Sequence, residues 1–178
     1  MSLGLYLHIP YCFSKCRYCD FYSAPGQRGV PTQYVDALLR ELARFAPDAP
    51  LHPDTIYFGG GTPALLRPDQ VHRLIKAAAP LPGAEITLEA NPDVVTPENL
   101  AGFAAAGVTR ISFGVQSADD AQLRRLGRTH TAAAAAQAFA WRRSAPAQPT
   151  SSPAWQTPIP TARRWSPSPG RFPPTKFT

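Results

Sequence analysis

Short apolar runs alternate along the first 141 residues with longer segments in which apolar residues recur every three or four positions. The short runs predict four buried strands, at residues 3–10, 54–58, 84–90 and 110–116. The longer segments predict helices, because an apolar residue at each turn gives a helix one buried face. These helices are predicted to begin at Thr32, after Pro68, at Pro97, at Asp119 and at Thr131.

Several helix ends are marked by residues that favour helix termini. Thr32 is predicted as an N-cap, and Pro97 is predicted in a first helical turn, where its missing N–H costs little. Gly107 is expected to end the helix that Pro97 begins. The last helix is rich in alanine and is expected to reach about Trp141.

Strands that alternate with helices are typical of a parallel sheet with right-handed crossovers, so the predicted fold class is α/β. Such sheets carry their chemistry at the carboxyl ends of the strands. A cysteine-rich segment follows the first predicted strand, and three glycines (59–61) follow the second. Glu89 ends the third and Gln116 ends the fourth. We therefore predict a site at this edge of the sheet.

Each of these groups also has a purely structural interpretation. The glycines form a tight turn in that interpretation, although three in a row also let a ligand lie against bare backbone. Glu89 needs a partner because burying a carboxylate alone is costly, and a cationic ligand group would serve. Gln116 is also explained as a hydrogen-bonding residue at a strand end, and Arg128 as a solvated surface residue.

All three cysteines, Cys12, Cys16 and Cys19, lie in one segment with the spacing C-x3-C-x2-C. A loop this short can turn three thiolates toward one point, and three thiolates can hold three irons of a 4Fe–4S cluster. The fourth iron would then lack a protein ligand, whereas electron-transfer clusters ordinarily use four cysteines. On spacing alone, a zinc site with His8 as fourth ligand and a disulfide with one odd thiol stay open as alternatives.

The formal net charge of +6 raises the question of a nucleic-acid partner. Residues 1–140 contain all twelve acidic residues and twelve of the eighteen lysines and arginines, so they carry no net charge. The excess lies wholly in residues 142–178, whereas a duplex-binding protein usually has a basic face across its fold. We therefore expect no nucleic-acid partner. No secretory signal or membrane-spanning run is visible, and the clustered cysteines favour a reducing cytoplasm.

Five motifs follow one another in a single order. They are Tyr-Leu-His-Ile-Pro-Tyr-Cys-x3-Cys-x2-Cys, Phe-Gly-Gly-Gly-Thr-Pro, Glu-Ala-Asn-Pro, Ser-Phe-Gly-Val-Gln-Ser and Leu-Gly-Arg-Thr-His. Together they resemble the radical S-adenosylmethionine (SAM) enzymes, and within them the oxygen-independent coproporphyrinogen III oxidase family. The resemblance covers about residues 3–141 and removes zinc as a serious alternative.

The resemblance implies a 4Fe–4S cluster ligated by Cys12, Cys16 and Cys19, with an open iron chelated by SAM. It implies that two tyrosines pack beside the cofactor, that the glycine segment lines it, and that three polar residues contact SAM. In chain order these residues are Tyr6, Tyr18, Gly60, Gly61, Thr62, Glu89, Gln116 and Arg128. An electron from the cluster then cleaves SAM to methionine and a 5′-deoxyadenosyl radical, while the protein supplies binding and excludes water. No residue is assigned as catalytic.

Two branches of the resembling family differ just after the third cysteine. The decarboxylating oxidases, which convert coproporphyrinogen III to protoporphyrinogen IX, usually carry another cysteine two places later. This chain has Asp20, Phe21 and Tyr22 there, which is similar to the heme chaperone (HemW) branch. That branch binds heme and passes it to acceptor proteins such as respiratory cytochromes. The chaperone is the favoured expectation and the oxidase is the alternative, so whether the chain is an enzyme stays open.

The composition changes after about Trp141. Residues 142–178 contain nine of the twenty-one prolines and no Leu, Val or acidic residue. A segment this poor in large aliphatic residues cannot bury enough apolar surface to offset the entropy lost when it becomes ordered. We expect residues 1–141 to form the first four of six strands of a radical SAM barrel, followed by a disordered tail. Three interpretations of the tail are a disordered linker, a deliberate short form of the protein, and the product of a frameshift. The frameshift is favoured because the change in composition falls inside a predicted helix, where no domain boundary is expected. In that case the chain is a truncated fragment, inactive as written.

Overall fold

The computed structural model describes residues 2–144 and contains one parallel sheet. Its strands are β1 (Gly4–Ile9), β2 (Thr55–Gly60), β3 (Glu85–Ala90) and β4 (Arg110–Phe113). They lie side by side in chain order, and each neighbouring pair is parallel. The predicted α/β class and all four predicted strands are confirmed.

Each strand is followed by helical structure, as the apolar spacing predicts. The helices are α1 (Thr32–Phe45), α2 (Pro68–Ala78), α3 (Pro97–Ala106), α4 (Asp120–Leu126) and α5 (Ala132–Ser144), and one 3₁₀ turn covers Pro63–Leu65. Pro97 occupies the first turn of α3, and Gly107 ends that helix in the left-handed conformation (φ 109°). Both predictions for α3 are therefore confirmed.

One face of the sheet forms the core. Alternate strand residues such as Ile9, Phe58 and Leu88 are fully buried, and they join one cluster with buried residues of the helices, among them Leu74 and Phe103. Successive side chains of a strand point to opposite faces. The same alternation therefore places a second set of strand residues on the other face.

That other face of the sheet is polar and partly open. Tyr6, Tyr57, Thr87 and Arg110 lie in one row across the four strands. Tyr6 is 55% exposed, and Arg110 forms an exposed ion pair with Glu85 (Nη1 to Oε1, 3.2 Å). The sheet thus has an apolar face under the helices and a polar face that leads to the carboxyl ends of the strands.

The structure corrects the predicted end of the fourth strand. β4 ends at Phe113 rather than at residue 116. The N–H of Val115 donates to the carbonyl of Phe113 (3.1 Å), and the N–H of Ser117 donates to that of Val115 (2.8 Å). Two successive tight turns of this kind cannot continue a strand. Gln116 therefore lies in a turn with φ 61°, not at a strand end.

The predicted N-cap of α1 is also wrong. Pro31 is the N-cap residue, with extended backbone (φ −59°, ψ 140°), and Thr32 is the first helical residue. The carbonyl of Pro31 accepts the first helical bond, from the N–H of Val35 (3.4 Å). Proline suits this position because its fixed φ is compatible with the residue that precedes a helix.

The predicted domain boundary after Trp141 falls within a helix, since α5 extends to Ser144. Arg142 and Arg143 lie in its last turn, where positive charge favours the carboxyl end of a helix dipole. The predicted tail lies almost entirely outside the described residues, so the interpretations of it stay predictions. No helix within residues 2–144 is long and apolar enough to cross a membrane.

Replacing Phe103 tests the core. Phe103 is fully buried, so Phe103→Ala is expected to lower the free energy of unfolding by about 3–5 kcal/mol. Phe45 is 78% exposed on α1, and Phe45→Ala is expected to change it by less than about 0.5 kcal/mol. Urea unfolding followed by circular dichroism measures both variants. Equal effects would show that the core described above does not form.

Candidate cofactor-binding site

A cavity of about 290 Å³ lies at the carboxyl ends of the four strands. All but one of the eleven residues singled out from the sequence line it. They are Cys12, Cys16, Tyr18, Cys19, Gly60, Gly61, Thr62, Glu89, Gln116 and Arg128. The prediction that these strand ends share one edge is thereby confirmed in position, although the roles of the residues are a separate question.

The cysteine loop, residues 12–19, is held on both sides by backbone hydrogen bonds. The N–H of Cys12 donates to the carbonyl of Ala24 (3.0 Å), and the carbonyl of Cys12 accepts from the N–H of Gln27 (3.0 Å). Farther along, the N–H of Arg17 donates to the carbonyl of Leu126 (3.0 Å). Cys12 is buried, so the loop is packed at its start and ordered by α4 near its end.

The three cysteines line the same cavity. Within residues 2–144, no three His, Cys, Asp or Glu side chains are grouped as ligands of a single metal ion. Cys16 and Cys19 lie on one turn (N–H to carbonyl, 3.2 Å), whereas Cys12 is tied to Ala24. The expectation that the three thiolates can turn toward one point stays a prediction. In a 4Fe–4S cluster each thiolate ligates a different iron, so that ligation needs no common point.

The structure also bears on the other interpretations of the cysteines. All three are free thiols, so they form no disulfide. His8, the suggested fourth zinc ligand, has both ring nitrogens in other hydrogen bonds. Its Nδ1 accepts from the Tyr6 hydroxyl (3.1 Å), and its Nε2 lies 3.2 Å from the carbonyl of Tyr22.

The glycine segment allows β2 to approach the cysteine loop. A Cβ on Gly61 would lie 2.6 Å from the carbonyl oxygen of Tyr11 and 2.8 Å from Cys12 Sγ, closer than real Cβ contacts. Gly60 has φ 117°, a conformation that favours glycine, and a Cβ there would meet the His8 ring at 2.7 Å. The bare backbone therefore lies against the protein's own residues as well as along the cavity.

Glu89 is held on β3 by two neutral donors. The hydroxyl of Tyr57 donates to Oε1 (2.6 Å), and the N–H of Gly60 donates to Oε2 (3.2 Å). Within residues 2–144, no Lys, Arg or His forms an ion pair with this carboxylate. Its negative charge thus faces the cavity oriented but not neutralised.

The pKa of the Tyr57 hydroxyl is raised by this arrangement. Burial is the largest cause, and the hydrogen bond and negative charge of Glu89 add to it, so the pKa of Tyr57 rises to about 12. The neutral phenol is the form that donates to Glu89. The hydrogen bond is therefore kept through neutral pH and well above it.

Arg128 joins three other residues of the cavity wall. Its Nη1 donates to Asn91 Oδ1 (3.0 Å), its Nη2 donates to Gln116 Oε1, and its guanidinium lies over the Tyr18 ring (5.9 Å to the centroid). The third donor, Nε, is buried and has no partner among the described residues. Arg128 is therefore an organised cation of the site, which corrects its interpretation as a solvated residue.

Asn91 is a site residue that sequence reasoning missed. It directly follows β3, lines the cavity and donates through Nδ2 to Thr62 Oγ1 (3.4 Å). The hydroxyl of Thr62 in turn donates to Cys12 Sγ (3.6 Å). The available signal was the polar residue right after a strand end, within a motif that was noted but assigned only to Glu89.

Tyr6 is the predicted residue that the cavity does not include. It lies one row below the strand ends, stacked on Tyr57 with ring centroids 6.0 Å apart, and donates its hydroxyl to His8. Burial is the largest cause of a raised pKa of Tyr6, and Glu89 adds to it. A direct contact between Tyr6 and a cofactor stays a prediction.

The sequence model of the Radical SAM superfamily matches residues 6–146. The chain belongs to the radical SAM superfamily. Membership of this superfamily implies a 4Fe–4S cluster and SAM, and the free thiols together with the unpartnered Nε of Arg128 are groups to which such cofactors can bind.

Within the radical SAM superfamily, two curated relatives are heme chaperones named HemW. The Haemophilus influenzae protein is 43% identical over 148 residues, which cover 76% of this chain and 38% of the relative. The Escherichia coli protein is 45% identical over 134 residues, which cover 72% of this chain and 35% of the relative. This chain thus spans little more than a third of the length of these relatives.

A solved radical SAM enzyme has the same fold. The structure of coproporphyrinogen III oxidase (HemN) from Escherichia coli matches with a TM-score of 0.72 and 30% identity, covering 80% of this chain and 34% of that one. The chain is therefore related both to HemW heme chaperones and to HemN, as the motifs predicted.

The Tyr57 titration tests the geometry around Glu89. A pH-jump titration at the tyrosinate absorbance band is expected to show one tyrosine with a pKa of about 12, absent from Tyr57→Phe. A pKa raised above the unfolded value of about 10 adds stability below pH 10 that is lost as the pH rises from about 10 to 12. Glu89→Gln is expected to lower this pKa but not to restore it fully, because burial remains. A group near 10 that disappears in Tyr57→Phe would contradict the geometry.

Proposed function

We propose that this chain is the cofactor-binding part of a heme chaperone built on a radical SAM scaffold. Such a protein binds heme and delivers it to acceptor proteins, with respiratory proteins as the proposed class. The observation that supports the cofactor site best is that ten residues singled out for cluster and SAM binding line a single cavity. The choice of chaperone over oxidase depends on the relatives and on one local sequence feature.

The proposed cluster ligands are Cys12, Cys16 and Cys19. They are free thiols on the wall of one cavity, and the loop that carries them is fixed by hydrogen bonds at Cys12 and Arg17. Three ligands leave one iron of a 4Fe–4S cluster open to another molecule. The proposed occupant of that iron is the amino acid part of SAM.

The charges of the cavity support this placement of SAM. Its amino acid part is zwitterionic, and the cavity offers the unneutralised carboxylate of Glu89 and the guanidinium of Arg128, whose Nε has no partner among the described residues. Burying either charge alone would be costly, so each gains from an oppositely charged ligand group. These two residues are the proposed electrostatic contacts of the cofactor.

The remaining walls supply shape and packing. Gly60 and Gly61 present backbone without side chains, and Gln116 is held on the cavity wall by Arg128. Tyr18 lies within the cysteine loop, under the Arg128 guanidinium. Burial raises the pKa of Tyr18 more strongly than Arg128 lowers it, so it stays a neutral aromatic surface. When bound, the cluster and SAM supply one-electron chemistry, while these residues orient the cofactor and exclude water.

The chaperone assignment is supported by relatives and by the segment after Cys19. The relatives called heme chaperones are 43% and 45% identical, whereas the HemN oxidase structure is 30% identical. Asp20, Phe21 and Tyr22 follow Cys19, and no further cysteine is present in the chain. The oxidase, which would decarboxylate coproporphyrinogen III, stays the second candidate because its fold matches over 80% of this chain.

A reducing compartment such as the cytoplasm is part of the proposal. The proposed use of all three cysteines as cluster ligands supports it, since an oxidising compartment favours disulfides between neighbouring cysteines.

The cluster assignment predicts a strict need for all three cysteines. After anaerobic reconstitution with iron and sulfide, Cys12→Ala, Cys16→Ala and Cys19→Ala are each expected to retain less than about a tenth of the 4Fe–4S absorbance, because each removes a ligand. Ser23→Ala is the control, because the Ser23 hydroxyl has no partner among the described residues and lies outside the cavity. A full cluster in any cysteine variant would exclude that cysteine as a ligand.

The choice between chaperone and oxidase is tested by products. The reconstituted chain is incubated anaerobically with heme, and separately with coproporphyrinogen III, SAM and a reductant. The Escherichia coli HemW and HemN proteins serve as positive controls for the two arms. Stable heme uptake without decarboxylation is the outcome that the proposed function predicts, and it would overturn the interpretation of this chain as an inactive fragment. Formation of protoporphyrinogen IX would overturn the chaperone assignment in favour of the oxidase.

A further inference from the structure

A continuous hydrogen-bond chain joins a cation to one of the cysteines. Arg128 Nη1 donates to Asn91 Oδ1 (3.0 Å), and Asn91 Nδ2 donates to Thr62 Oγ1 (3.4 Å). The Thr62 hydroxyl then donates to Cys12 Sγ (3.6 Å). Four residues that are far apart in the sequence thus form one path from the cavity wall to a sulfur.

The direction of donation along these hydrogen bonds is fixed by the Arg128 guanidinium. A guanidinium has only donors, so the group of Asn91 that faces Arg128 must be its carbonyl oxygen. The amide NH₂ of Asn91 then faces Thr62, and the Thr62 hydroxyl has to accept. A hydroxyl carries a single hydrogen, which is left for Cys12 Sγ.

Burial protects the last two members from competing water. Thr62 is 1% exposed and Cys12 is 7% exposed. The backbone N–H of Thr62 is also fixed, because it donates to the carbonyl of Tyr11 (2.7 Å) next to Cys12. A hydrogen bond in such a site is stronger than one exposed to water.

We propose that Thr62 and Asn91 are positioning residues that hold a hydroxyl proton on the Cys12 sulfur and thereby raise the reduction potential of the cluster bound there. This inference rests on the proposed function, since it takes Cys12 as a cluster ligand. Reduction adds one electron and makes the cluster and its thiolates more negative. A donor on a sulfur stabilises that reduced form, and hydrogen bonds to the sulfurs are a known determinant of cluster potentials.

The test is a redox titration of the reconstituted 178-residue chain, followed by the EPR signal of the reduced cluster. Thr62→Val removes the hydroxyl at nearly constant volume, and the ratio of reduced to oxidised cluster at a fixed potential is expected to fall about fivefold, the equivalent of one ordinary hydrogen bond. Thr62→Ser keeps the hydroxyl and is expected to restore most of the ratio. Cluster content is measured first in each variant.

Thr87→Val is the matched control. Thr87 is also 1% exposed, but its hydroxyl donates to Glu85 on the sheet, away from the cysteine loop. The same chemical change at equal burial is expected to leave the ratio unchanged. An equal fall in Thr87→Val would overturn the proposal, because the effect would then be one of general destabilisation.

Asn91→Leu separates positioning from a direct effect. Asn91 acts only through Thr62 in this proposal, so Asn91→Leu is expected to lower the ratio in the same direction and by no more than Thr62→Val. The double variant is expected to match Thr62→Val alone. Additive effects of the two substitutions would overturn the proposed hydrogen-bond chain, since substitutions of contacting residues that act as one unit do not have additive effects.

The outcomes also distinguish this inference from the proposed function. A wild-type chain that forms no cluster overturns both. A wild-type chain that forms a cluster whose potential is the same in Thr62→Val overturns the hydrogen-bond inference alone and leaves the cluster assignment in place.

Discussion

The site depends on the close approach between the end of β2 and the cysteine loop. The N–H groups of Gly61 and Thr62 donate to the carbonyls of Ile9 and Tyr11, at 2.8 and 2.7 Å. This pairing continues the β1–β2 ladder beyond the strands and into the loop. It is possible only with bare backbone, because a Cβ on Gly61 would overlap both Tyr11 and Cys12. The same short segment thus orders the loop, lines the cavity and places the Thr62 hydroxyl on a sulfur.

Two charged side chains of the same cavity are held in place by neutral groups. Glu89 and Arg128 lie on the wall of one cavity, each oriented by hydrogen bonds to neutral partners. Neutral partners fix the position of a charge without cancelling it, so the energy of neutralisation is left for a ligand. Tyr57 donates a hydrogen bond to the Glu89 carboxylate, and Asn91 accepts one from the Arg128 guanidinium. The neutral groups that hold the two charges thus come from an aromatic residue on the sheet and from an amide residue that follows β3.

Sequence reasoning was most successful where one physical rule dominates. Short apolar runs located all four strands because their apolar residues join the buried core, and the parallel topology placed the strand ends at one edge. Sequence reasoning failed at Gln116, where two tight turns end β4, because turn geometry depends on contacts with Arg128 that are distant in sequence. The position of Asn91 right after a strand end was a usable local signal for the residue itself. Its partners are 29 and 37 positions away, and no local pattern indicates them.

The bond between Arg17 and Leu126 has a consequence for the order in which the site is completed during synthesis. The contacts that fix the start of the cysteine loop, at Ala24, Gln27 and Thr62, all involve the first 62 residues and can form early. The bond from Arg17 to Leu126 joins residues 109 positions apart and has to wait until α4 has left the ribosome. The segment with Cys16 and Cys19 is therefore the last part of the cysteine loop to be fixed. The position of Cys12 thus depends on contacts within the first 62 residues, whereas the segment with the other two thiols also depends on α4.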